Sequence, residues 1–301
     1  MAAEQTTTTV VPRRYRMRLG GTMPSLRGYV PLIPPVTILM MFFALPMGMM
    51  IGLSFQDGDT GSFSLTSYER FFTDDLALDG FFRTIVMSGL VAVCVTVMSY
   101  PIAYFLARST SRWRAVVFAL AIAPELAGVV LRTYGWLIIL EDQGFVNDLV
   151  IQLGLIDRPL PLSHNMFGVV VGLTHVLLPF GILSLLTNIQ GIDPNLEKSA
   201  QILGASRLSV LRHIILPLSV PGIVSSLLIA FTLAASAYAT PALLGGIKFS
   251  VLATMIYQQV LFYINWPYAA VMANVLLVIV LAIAFTGARL ESRLNSKLHV
   301  R

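Results

Sequence analysis

The chain has 301 residues, of which 56% are apolar and only 12% charged, about half the ~25% charged of an average soluble domain. Its mean hydropathy is +0.79, and apolar runs long enough to cross a bilayer recur along its length, which excludes an ordinary soluble protein and predicts a polytopic, all-α membrane protein. The net charge of +5 and pI near 9.5 do not call for nucleic acid, because the basic residues fall beside the ends of the apolar runs, where lipid headgroups account for them.

Residues 1–28 read as an N-terminal tail that is rich in Thr at first and then carries Arg13, Arg14, Arg16, Arg18 and Arg27. The apolar stretch after it is too long for the core of a secretory signal and no small-residue cleavage site follows, so it is expected to be an uncleaved first span. At 1.5 Å rise per residue, about 20 residues cross ~30 Å of hydrocarbon. Six runs meet that length, near 30–55, 82–107, 115–140, 166–187, 218–240 and 267–288. They make residues 29–290 a six-span domain, followed by a tail over 291–301. Cys94 lies within the second run and is the single cysteine, so the chain has no internal disulfide and no cysteine-based metal site.

Orientation follows from retention of Lys and Arg on the cytoplasmic face. The N-terminus, Arg108, Arg112, Arg114, Lys198, Arg207, Arg212, Arg289, Arg293, Lys297 and Arg301 place fifteen of the twenty basic residues on one side. The other side has Arg70, Arg83, Arg158 and Lys248 against ten acids, so both termini are expected in the cytoplasm.

The cytoplasmic connection between the fourth and fifth runs is far longer than the 2–8 residues usual between packed helices. It reads as two short helices. Asp193 is an N-cap with Pro194 at the first helical position; Leu196, Ala200 and Leu203 recur at i, i+4 and i+7, and Gly204 ends the helix. Ser206 caps a second helix with Leu208, Leu211 and Ile215 on one face, and Pro217 marks the start of the fifth span. Helices this short need a surface to pack on, either the chain's own spans or a partner.

The string Leu196 to Ser206 (LEKSAQILGAS), followed by Ile214-Ile215-Leu216-Pro217, resembles the EAA loop of permease subunits of bacterial ABC importers. The spacing from Gly204 to Ile214, Leu216 and Pro217 fits the pattern. In strict register Lys198 stands at the Glu position and Ser199 at the first Ala, with the carboxylate one place earlier at Glu197 and the second Ala at Ala200. Further likeness lies in Phe63–Phe72, in Leu131-Arg132-Thr133-Tyr134-Gly135-Trp136 with Gly144 and Asn147, in Pro241–Gly246 and in Asn265-Trp266-Pro267-Tyr268. It is similar to the spermidine/putrescine subfamily and covers roughly residues 28–290.

The resemblance implies a MetI-like ABC importer permease fold in the bacterial inner membrane. Residues 193–217 would act as a cytoplasmic coupling helix against an ATPase, with Glu197, Lys198, Ser199, Ala200, Gly204, Ala205, Ser206, Arg207, Ile214, Leu216 and Pro217 as the contact set. It also implies a second, homologous permease in a heterodimer, two copies of the ATPase and a periplasmic solute-binding protein. The chain has no Gly-x-x-x-x-Gly-Lys-[Ser/Thr] phosphate loop, so no catalytic residue and no cofactor is assigned to it; ATP and magnesium are expected on the partner ATPase.

Glu125 and Arg132 are ionisable groups inside a predicted span and are candidates for a solute pathway; the alternatives are a structural hydrogen bond or partner-subunit contact for Glu125 and a structural or gate role for Arg132, nearer the outer end. Seven residues apart on a straight helix they share a face but lie ~10 Å apart along the axis, too far for contact without bending the side chains. Tyr134, Trp136 and Tyr238 offer cation-π faces to an ammonium group, or serve as interfacial and packing residues. His175 stands without a second His or carboxylate at metal spacing, so it reads as a satisfied interior histidine and no metal site is expected. The solute implied is a polyamine, with an opine, amino-acid derivative or phosphonate as the alternative. A stand-alone secondary transporter or channel would show inverted repeats or interrupted spans with paired intramembrane charges, and an intramembrane enzyme a nucleophile or metal motif; the EAA segment speaks against both.

Overall fold

The computed structural model describes residue 31 and residues 33–57, 61–246 and 249–299. Arg13, Arg14, Arg16, Arg18, Arg27, Lys248 and Arg301 lie outside the described residues, as does the side chain of Lys297. The chain divides into two compact units, Met1–Gly48 and Met49–Arg301. Among the described residues there is no β-sheet, only one isolated bridge between Gln56 and Phe63.

The first span, α1 (Pro34–Ser54), contains a π-helical turn at Met40–Ala44. After it come α2 (Thr66–Thr73), the 34-residue α3 (Asp75–Arg108), α4 (Trp113–Leu126), α5 (Val129–Leu140), α6 (Phe145–Gln152) and α7 (Met166–Gln190). Then follow α8 (Pro194–Ile202), α9 (Arg207–Leu218, π-helical over Leu211–Ile215), α10 (Val220–Ala235), α11 (Ala239–Leu244), α12 (Leu252–Leu261) and α13 (Trp266–His299). Four helices, α1, α3, α7 and α13, are each long and apolar enough to cross a bilayer, and two bent pairs bring the number of candidate spans to between four and six.

Two predicted spans differ from the straight helices expected. The third, predicted over 115–140, is broken between α4 and α5 by a 101° bend. Pro124 removes one helical donor, Ala127 is extended with ψ 138°, and Gly128 follows at ψ 144°, so the backbone leaves the helix within two residues. The fifth, predicted over 218–240, starts at Val220 after a 64° bend at Ser219 and stops at Ala235, which leaves Tyr238 in a break before α11. The last helix runs on through the residues predicted as a separate tail, to His299.

The core joins α3, α7, α10 and α13, with Met87, Val91, Val95, Leu173, Ala230, Ala234, Val271 and Met272 fully or almost fully buried. With apolar lipid outside, packing and polar contacts hold such helices together more than water exclusion does. The α3 helix acts as the spine. Its Thr84 hydroxyl accepts from Leu252 N at 2.9 Å, Thr96 pairs with Ser226 at 3.1 Å, Ser99 donates to the Leu178 carbonyl at 3.3 Å and Tyr100 pairs with Ser219 at 2.9 Å. One helix is thereby bonded to α12, α10, α7 and the bend before α10.

Close approach of α3 to α7 depends on Gly181, where a Cβ would stand 2.6 Å from both Ser99 Oγ and Val95 Cγ1. Gly89, on α3, has open space at the same test. Gly181→Val is therefore expected to destabilise the protein by about 1–3 kcal/mol more than Gly89→Val. Thermal unfolding in detergent checks this, and equal melting temperatures for the two variants would contradict the packing.

Candidate coupling segment and membrane pathway

The segment between α7 and α10 folds as its sequence dictates. Asp193 accepts from Asn195 N at 2.9 Å as the N-cap of α8, Pro194 takes the first helical position, and Ser206 accepts from Ser209 N at 3.2 Å to cap α9. At the end of α8, Ala205 N donates to the Ala200 carbonyl and Gly204 N to that of Gln201, both at 3.0 Å, which is a Schellman closure. Gly204 has φ +89°, and a Cβ there would meet nothing within 4 Å. The residue is thus required by backbone conformation, and no neighbouring backbone among the described residues approaches it.

The two faces of the segment differ. Inward, Val210 and Ile215 pack with Ile192, and Ala200, Ala205 and Ile214 join them against Tyr104 of α3. Outward, Leu196, Ile202, Leu203 and Leu208 are 47%, 85%, 87% and 72% exposed. Lys198, Ser199, Arg207, Leu216 and Pro217 also lie on the exposed side. The predicted stripe Leu196, Ala200 and Leu203 is therefore split: Ala200 faces the chain's own helices and the two leucines face out.

Glu197 falls on the inner side. It is 9% exposed, accepts from Arg108 Nε at 2.5 Å and from the Tyr104 hydroxyl at 3.3 Å, while Arg108 also donates to the Ile192 carbonyl at 2.9 Å. The carboxylate one place ahead of the motif position thus ties the segment to the end of α3. Neither Arg108 nor Tyr104 was legible as its partner, because 89 and 93 residues separate them in sequence.

The break between α4 and α5 changes the geometry of the intramembrane charges. Arg132 Nη1 reaches Glu125 Oε2 at 2.9 Å, the contact a straight helix forbids. The Arg132 side chain is 8% exposed and Glu125 40%, so the carboxylate is the presented partner. Arg132 Nε is buried without an acceptor among the described residues. Trp136 is half-buried and donates from Nε1 to His175 Nδ1 at 3.1 Å, which satisfies the interior histidine and makes Trp136 a packing residue. Tyr134 is exposed.

Tyr238 lies apart from the charge pair in the described contacts and stacks on Tyr257, ring centroids 4.5 Å apart. The Thr133–Thr240 hydroxyl pair at 3.1 Å joins α5 to α11. No group of three or more potential metal ligands occurs among the described residues.

Residues 29–296 match the family described as binding-protein-dependent transport system inner membrane component. The chain belongs to this family. As a member it is an inner-membrane permease component of an ABC importer that works with a solute-binding protein. It is 31% identical over 267 residues to the spermidine/putrescine transport system permease protein PotB of Escherichia coli, covering 87% of this chain and 97% of that one. The corresponding protein of Salmonella typhimurium is 31% identical over 273 residues, with 89% and 95% covered. Among solved structures, a bacterial ABC transporter involved in the import of alginate matches with TM-score 0.76 at 20% identity, over 89% of this chain and 95% of that chain. The MetNI methionine ABC transporter matches with TM-score 0.57 at 18% identity, over 72% and 95%. These likenesses establish the all-helical, MetI-like permease fold.

Arg108→Ala in this permease strands a buried carboxylate and is expected to cost about 3 kcal/mol, whereas the paired change Arg108→Met with Glu197→Leu restores most of it. Thermal unfolding and protease sensitivity of residues 193–217 report both. A single-variant cost below ~1 kcal/mol would contradict the anchoring role. Gly204→Ala, forced to positive φ, is expected to lose about 1 kcal/mol in the same assay.

Proposed function

We propose that the chain is one of two homologous permease subunits, forming a heterodimer, of an ATP-driven importer whose solute is a polyamine such as spermidine or putrescine. The similarity to PotB over nearly the whole of both chains supports the solute class. Six spans with both termini in the cytoplasm are supported by the charge asymmetry and by the two bent pairs each being one span. The permease is proposed to be non-catalytic: two copies of a cytoplasmic ATPase hold ATP and magnesium, and a periplasmic protein delivers the solute.

The single observation that carries the coupling role is the outward apolar face of Leu196, Ile202, Leu203 and Leu208 on a segment clamped from behind by Arg108 and Glu197. A capped, anchored element moves as a rigid body when a groove closes on it, so domain closure in the ATPase shifts α3 and α10 with it. Lys198, Ser199, Arg207, Leu216 and Pro217 complete the exposed contact set, while Ala200, Gly204, Ala205, Ser206 and Ile214 shape the segment. Within the membrane, Glu125, held by Arg132, presents a carboxylate to a cationic solute, with Tyr134 exposed two residues beyond Arg132; Trp136 supports His175.

In proteoliposomes containing both permeases and the ATPase, supplied with the binding protein, spermidine or putrescine is expected to stimulate ATP hydrolysis and unrelated amino acids not. Leu203→Asp is expected to lower that stimulation about tenfold or more, and Gly204→Asp to abolish it. Stimulation by another solute alone would discard the polyamine and keep the importer. Solute movement by this chain without any ATPase would discard the importer.

A further inference from the structure

The break that ends α10 opens a cavity of about 200 Å³ between α11 and α12. Tyr238, Phe249, Thr254, Tyr257, Gln258 and Phe262 line it, and none of the described residues lining it is charged. Tyr238 and Tyr257 are stacked at 4.5 Å, and Phe262 meets Tyr257 edge-on at 6.3 Å. The two tyrosines are 38% and 39% exposed, so their rings are open to a ligand while forming part of a concave wall. At ~30 Å³ per water the space holds about seven waters, enough for an ammonium group and a short carbon chain.

Gln258 lines a second cavity as well, of about 450 Å³, whose wall includes Arg70, Asp74, Gln259, Tyr263 and Asn265. Asp74 caps α3 by accepting from Leu76 N at 3.0 Å and accepts from the Tyr268 hydroxyl at 3.1 Å. Arg70 lies with its guanidinium 4.5 Å from the centre of the Tyr268 ring. Thr254 Oγ1 is already committed, accepting from Val251 N and donating to Val251 O. The polar side chain common to both cavities is therefore the amide of Gln258.

We propose that these adjoining cavities form a receiving site for an organic diamine, one ammonium against the Tyr238–Tyr257 faces with Gln258 as acceptor, the other toward Asp74. The proposal rests on the amine-import reading above and adds its location. Uncharged aromatic walls attract a cation through their ring quadrupoles, and the attraction strengthens where the site is partly desolvated. A carboxylate one cavity away matches a second positive charge at the far end of a flexible chain. The site lies at the end of the bundle that carries α2 and α12, opposite the coupling segment, where a solute-binding protein would release its cargo.

The experiment measures equilibrium binding of labelled putrescine to the assembled permease–ATPase complex in nanodiscs, with no binding protein present, alongside spermidine-stimulated ATP hydrolysis with it. Hydrolysis without solute gauges assembly of each variant. Tyr257→Leu is expected to weaken putrescine binding about tenfold and Tyr257→Phe by no more than about twofold, with 1,4-butanediol unable to compete. Tyr238→Leu serves the same purpose if Tyr257→Leu fails to assemble. Wild-type binding that neither leucine variant changes overturns the site, and leaves these aromatics as an interfacial belt. Polyamine-stimulated hydrolysis with no putrescine binding to the complex also overturns it while the amine reading stands. Stimulation only by a solute lacking an amine overturns both.

Discussion

The contact on which the segment between α7 and α10 depends is the pair between Arg108, the last residue of α3, and Glu197, in the first turn of α8. Burying two charges is costly, and a buried ion pair seldom adds net stability over an apolar pair of the same shape. Its value here is geometric. Arg108 bonds both Glu197 and the Ile192 carbonyl, so it fixes the loop that leaves α7 and the helix that follows it in a single register. With that face held, the leucines at 203 and 208 have no alternative inward packing and remain outside. A segment pinned on one side and apolar on the other can transmit force; the same helices attached only through a flexible loop would absorb it.

The intramembrane charge pair is shaped by a different constraint, the helix break. An ion pair within hydrocarbon is tolerated when the partners meet and part of the pair reaches a polar space. On a continuous helix Glu125 and Arg132 stand two turns apart, so neither neutralises the other. The 101° bend at Ala127 and Gly128 brings them to 2.9 Å and leaves the carboxylate as the exposed member. A similar interruption after Ala235 frees Tyr238 from helix packing and turns it onto Tyr257. In both places irregular backbone at the edge of a span accompanies side chains suited to a cation, as expected where non-helical backbone lines a cavity.

How much was legible follows from whether the signal is local. The caps at Asp193 and Ser206, the stop at Gly204 and four of the six long apolar runs depend on neighbours within a few residues, and they lie where the sequence places them. The breaks did not announce themselves: Pro124 alone is compatible with a kinked helix, as Pro101 and Pro179 inside α3 and α7 show. At Pro124 the helix instead ends within two residues, with Ala127 extended and Gly128 at ψ 144°. The inward direction of Glu197 and the pairing of Tyr238 with Tyr257 were hidden because each depends on a residue far along the chain. Short helices α2, α6, α11 and α12 were missed because they are too short for an apolar period to stand out.

The α3 helix connects these regions physically. Its 34 residues extend ~50 Å, which exceeds the hydrocarbon thickness, so it carries structure beyond both surfaces. At one end Asp74 caps it and faces the larger cavity, and Thr84 accepts from the first residue of α12. At the other end Tyr104 and Arg108 hold the coupling segment. Between them Thr96, Ser99 and Tyr100 bond α10, α7 and the bend before α10. Hydroxyl contacts of this kind are individually modest in membranes, about 0.6 kcal/mol on average, so they can exchange partners at low cost. A rod strongly anchored at the coupling segment and weakly latched along its length is suited to shift as one piece against α7 and α10. On the proposed coupling role, such a shift would carry Asp74 and the α12 cap with it at the opposite end of α3.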